Sequence, residues 1–111
     1  MNILKQYPED LDNRSIFKLT NSQNAQKMSA AAGSVLTPDK WVIFEDEDIK
    51  TGEIRKVLVI EAQGEIFATV SKTFLDNFEK AVNFFNGNVG QIEVISGTSK
   101  GGRDFITCGI V

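Results

Sequence analysis

Histidine is absent from this 111-residue chain, and cysteine occurs once, at Cys108. Without an imidazole there is no Ser-His-Asp triad, no Cys-His dyad and no His-ligated zinc. A single thiol forms no internal disulfide and no four-cysteine metal centre, and it suits a reducing compartment. No apolar run approaches the ~20 residues that a membrane span requires. The opening MNILKQYPEDLD breaks into charge and Pro8 too early for a signal peptide. A cytoplasmic protein without a membrane partner is expected, and binding is favoured over catalysis.

What is present is ordinary for one folded domain, with 41% hydrophobic and 24% charged residues. The net charge of −3 argues at first against a polyanionic partner. Its distribution weakens that argument. Five of the 15 acids fall at Glu45–Asp48 and Glu53, and three more at Glu9, Asp10 and Asp12. The rest of the chain is therefore free to carry a locally basic surface.

Residues 1–13, polar and acidic around Pro8, are expected to form a flexible arm ahead of a single domain over 14–111. Arg14–Thr20 (RSIFKLT) and Trp41–Glu45 (WVIFE) read as strands from their β-branched and aromatic content. Between them Asn21–Ser34 is small and polar, either a mobile loop or a weakly packed helix near Ala25–Ala32. Glu53–Ala62 and Ile66–Val70 form an antiparallel meander about Gln63-Gly64-Glu65. Thr73–Asn86 is the one expected helix: Phe74, Leu75, Phe78, Ala81, Val82 and Phe85 make one apolar stripe, Thr73 and Asp76 resemble a capping box, and Gly87 ends it. Strands at Gln91–Ser96 and Asp104–Val111 close the chain. Strands, one late helix and a final hairpin predict an all-β protein with one helix, laid out as an OB-fold: a five-stranded Greek-key barrel with an extra β-hairpin. A plain α+β sheet is the competing architecture.

Candidate chemistry is sparse. Glu45-Asp46-Glu47-Asp48 offers hard oxygen ligands, but Gly52 is out of register for a calcium loop, so a solvated hairpin tip is the simpler reading. No metal or cofactor is expected. Gly97-Thr98-Ser99-Lys100-Gly101-Gly102-Arg103 lacks the order of a nucleotide-triphosphate loop and precedes a strand, yet it concentrates open backbone N–H groups, hydroxyls and two cations suited to phosphates. Pleating leaves Phe67 outward if Ile66, Ala68 and Val70 are core. It likewise leaves Phe105 and Thr107 outward if Ile106, Cys108 and Ile110 are core. Trp41 and Phe44 lie on opposite faces.

Gly64–Thr73 (GEIFATVSKT), the helix, and Ile92–Phe105 (IEVISGTSKGGRDF) together resemble the small single-stranded DNA-binding proteins of protein-primed tailed phages. In that family a strand ends in a Ser-Lys-Thr step into the helix, and a Gly-Thr-Ser turn precedes an aromatic residue. The resemblance spans 64–111 and is vaguer over 14–62. It implies binding of single-stranded DNA during phage replication, with phage replication proteins as further partners. By position Lys72, Lys100 and Arg103 become backbone contacts, and Phe67 and Phe105 stacking candidates. Neither the Asn21–Ser34 segment nor the acidic run matches the family.

The resulting expectation is sequence-independent binding of single-stranded DNA. Bases would stack on Trp41, Phe67 and Phe105, and Lys18, Lys27, Lys56, Lys72, Lys100 and Arg103 would pair with phosphates. Asn21–Ser34 falls where the first OB loop is expected to close over the strand. The rival reading is a protein-interaction module that uses the acidic hairpin and the helix.

Overall fold

In the computed structural model, which describes all residues Met1–Val111, the opening residues pair into a sheet. Strand β1 (Asn2–Tyr7) lies antiparallel to β4 (Pro38–Glu47), with Ile3 opposite Phe44 and Tyr7 opposite Trp41. The first half of the expected loose arm is thus a sheet edge. Arg14–Thr20 is not a strand. Asp12 accepts the Ser15 N–H at 2.8 Å and caps a helix, α1 (Asn13–Thr20), which buries Leu19. The segment after it is neither a mobile loop nor an α-helix. It contains β2 (Gln26–Lys27) and a 3₁₀ turn (Met28–Ala31) that drives Met28 and Ala31 into the core.

The remaining elements are β3 (Val35–Leu36), β5 (Ile54–Ala62), β6 (Glu65–Thr69), α2 (Lys72–Phe85), β7 (Ile92–Thr98) and β8 (Asp104–Ile110). The protein is mostly β, with two helices rather than one. Its strands form a five-stranded sheet in the order β1-β4-β5-β6-β2 and a three-stranded sheet in the order β3-β7-β8. No strand pairing closes these sheets into a barrel.

Both faces of the larger sheet are covered, which explains the unbroken apolar runs in β4 and β5. Trp41, Ile43, Leu58, Ile60 and Phe67 face the main core with Phe74, Phe78, Ile92 and Val94. Val42, Phe44 and Val59 face the other way and meet Leu19 of α1 in a second, smaller cluster. Trp41 anchors the main core: its Nε1 donates to Gly87 O at 3.1 Å, and its ring meets Phe78 edge-on.

Helix α2 starts one residue before the expected Thr73, because Ser71 rather than Thr73 is the cap and accepts the Phe74 N–H. It ends through left-handed Asn86 and then Gly87. Gly87 also lies beneath the Tyr7 ring, where a Cβ would come within 2.9 Å of Tyr7 Cδ1. No helix is long and apolar enough to cross a membrane.

Candidate nucleic-acid interface

Strands β6 and β8 are unpaired, and hydroxyl groups at the start of α2, just past β6, hold β8. Ser71 Oγ and Thr73 Oγ1, at the start of α2, both donate to Ile106 O of β8, at 3.3 and 2.7 Å. Asn77 Nδ2 then donates to Thr107 Oγ1. Beside this seam opens a groove of about 910 Å³. One wall is the β7–β8 stem (Ser96–Thr98 and Asp104–Ile106). The opposite wall is Val57 with the Ala68–Ser71 stretch, and Lys27, Met28, Ser29 and Ala32 close one side.

Phe105 is the aromatic residue of this groove. It stands opposite Gly97 in the β7–β8 register, and its ring occupies the space a Gly97 side chain would take. The bare glycine lets the ring settle against the strand, a cross-strand arrangement that fixes an aromatic platform without burying it. Phe105 remains 39% exposed.

At the tip of the same hairpin, Lys100 and Arg103 flank Gly101 and Gly102. The turn is ordered by its own bonds: Ser99 N donates to Arg103 O, Gly102 N to Ser99 O, and Arg103 N to Ser99 Oγ. Both cationic side chains are exposed and engaged in no ion pair. Lys27 on the groove wall and Lys72 beside Ser71 are likewise exposed and unpaired. Of the six expected cations Lys27 lines the groove, and Lys72, Lys100 and Arg103 lie within two residues of its lining along the chain.

The other two do not. Lys18 sits on α1, which packs on the sheet face shared by Val57 and Ala68 but contributes no residue to the groove lining. Lys56 is held by Glu79 of α2 at 2.7 Å. Two expected platforms also fail. Trp41 is 1% exposed and Phe67 4%, so neither ring can receive a base. Phe67 points inward because α1 covers the face that Ile66 and Ala68 occupy, leaving the main core for the alternate residue.

Val70, read from sequence as core, is instead exposed and lines the groove just past the end of β6. Together with Met28 and Ser71 it went unrecognised as a groove residue. The Val70-Ser71-Lys72-Thr73 step was the available signal, since a strand running into a capped helix exposes the residues of the junction.

The acidic hairpin is not arranged as a cation cage. Asp48 is committed to its own turn, accepting Lys50 N–H at 2.8 Å and Arg55 Nη2 at 3.1 Å, and no three acidic side chains converge on one point. Two groups titrate away from their usual range, and both lie outside the groove. Hydrogen bonding from Ser15, side chain and backbone, holds the Asp12 carboxyl low, and burial pushes the Cys108 thiol up to about 12. No family model, curated protein or solved structure matches this chain.

Proposed function

We propose that this chain binds single-stranded nucleic acid, without sequence specificity and without catalytic turnover, along the groove between β6 and β8. The resemblance of residues 64–111 selects DNA, in phage replication, over RNA. The observation that carries the reading is the pairing of a groove-facing Phe105 with two unpaired cations, Lys100 and Arg103, at the tip of the same hairpin. Stacking a base on such a ring contributes about 1–3 kcal/mol, and cations alongside it follow the phosphates. Ser29 and Ser96 add neutral donors along the path.

On this reading the fold is an OB-type barrel left open at one seam. Only Thr37 separates β3 from β4, and the stretch they form pairs with β7 at one end and β5 along the other. The order then runs through β5, β6, α2, β7 and β8, with the unpaired β6–β8 seam as the mouth. The first recognition loop in this layout is the acidic 48–53 turn, not Asn21–Ser34, and the last is the basic 99–103 turn.

Anisotropy of a fluorescent oligo-dT should rise on titration at low salt and the affinity should fall steeply as salt increases. Absence of binding to oligo-dT at low salt would sink the reading. Equal affinity for duplex DNA would sink the stacking mechanism.

A further inference from the structure

The β4–β5 hairpin outruns everything packed against it. Its outermost neighbours are Asn2, opposite Glu45, and Thr69, opposite Leu58. Residues 46–55 are left as a finger that projects about 10 Å at the rise of a strand. Its apex is preordered: Asp48 N donates to Glu53 O, Gly52 N to Asp48 O, and Arg55 pairs with Asp48. At that apex Ile49 is 100% exposed, and Ile54 on the stem is 64% exposed. Asp46, Glu47 and Glu53 surround them and take part in no ion pair. An ordered, protruding, apolar tip that carries three free carboxylates against one free cation, Lys50, has the character of a plug.

The groove is its complement in both respects. Val70, Phe105 and Ile106 give it an apolar lining; the unpaired Lys27 lines it, and the unpaired Lys72, Lys100 and Arg103 lie within two residues of its lining along the chain, against the one lining acid, Asp104. The finger cannot turn back into its own groove, because Val57 at its root is part of the groove wall. We propose that the finger of one copy docks in the groove of a second copy, with Ile49 on the apolar lining and the free carboxylates against the unpaired cations. The two surfaces differ, so the contact is head-to-tail and builds rings or open chains rather than a closed symmetric pair. A finger and a nucleic-acid strand use the same cations and the same ring, so each displaces the other. That competition rests on the proposed function; the docking itself does not.

Sedimentation velocity of the full chain without nucleic acid tests the docking. At low salt the average mass should rise with concentration and return to that of a monomer at high salt. Ile49→Asp should need at least about tenfold more protein to associate. Asp46→Lys/Glu47→Lys and Lys100→Glu/Arg103→Glu should each sediment as monomers alone and associate when mixed. A monomer at every concentration at low salt, or association unchanged by Ile49→Asp, would overturn the docking. Oligo-dT should disperse wild-type assemblies, and assemblies that bind it while staying intact would overturn the shared groove. Should oligo-dT fail to bind at all, the nucleic-acid reading falls while the protein-only sedimentation still decides the docking.

Discussion

Gly97 and Phe105 face each other across β7 and β8, and a Cβ on Gly97 would lie 2.6 Å from Phe105 Cζ. The glycine is required by the ring, not by its own backbone, which is ordinary extended strand.

Gly97→Ala should therefore displace the Phe105 ring while leaving the fold intact. If Phe105 is a base platform, this variant and Phe105→Ala should both weaken oligo-dT binding by about 1–3 kcal/mol, roughly 5- to 150-fold. Anisotropy titrations measure the loss, and thermal melts check that the fold survives. Normal binding by both variants would remove the stacking role.

The cations divide by location. Lys100→Ala and Arg103→Ala together should reduce the slope of log K against log salt by about 1.4, at about 0.7 per neutralised phosphate on a single strand. Lys18→Ala, on α1 and outside the groove lining, should leave the slope unchanged. Salt titrations of the three proteins distinguish a localised interface from diffuse attraction.

Trp41 ties β4 to the end of α2 through Gly87 and packs between Tyr7 and Phe78. Trp41→Ala should cost about 3–5 kcal/mol of folding stability in urea denaturation, and Met28→Ala about 2–5 kcal/mol. A negligible loss at Met28 would show that residues 26–31 are not part of the core.

Those two residues also show where the sequence was readable and where it was not. The long strands, the apolar stripe of α2, the basic 99–103 turn and the outward Phe105 follow from period and turn chemistry, which act over a few residues. The Arg14–Thr20 helix escaped because three apolar residues in seven fit a strand as well as a helix. Its decisive signal was the cap, Asp12 followed by Ser15 three residues on. That one misreading propagates to Phe67. With no helix over the second face, alternation assigns Phe67 to solvent; with α1 in place both faces are interior, and alternation no longer says which ring is exposed. The pairing of Asn2–Tyr7 with β4 is long-range, and nothing local in six mixed residues announces it. Lys56 shows the same limit for charge, since its partner Glu79 lies in a different element.

Burial holds the Cys108 thiol protonated, its pKa raised from 9.0 to about 12. The unfolded chain loses this proton near pH 9, whereas the folded chain keeps it. The thiol's contribution to stability is thus complete below pH 9 and is lost progressively as pH rises from there toward 12. Urea midpoints should fall over that window, and Cys108→Ala should lessen the fall. At neutral pH the native thiol should react with a disulfide reagent far more slowly than the urea-unfolded one.

The pairing of Val35 with Glu93 has a consequence for the order of assembly. Strand β3 and the 3₁₀ turn before it pack against β7, an element synthesised long after them. During translation β1, α1, β4, β5 and β6 can come together as a sheet, yet Met28 and Leu36 have no finished core to enter until β7 leaves the ribosome. Ring closure across so much chain is entropically slow. The nascent protein therefore exposes an unfinished apolar face until β7 and β8 emerge to complete it.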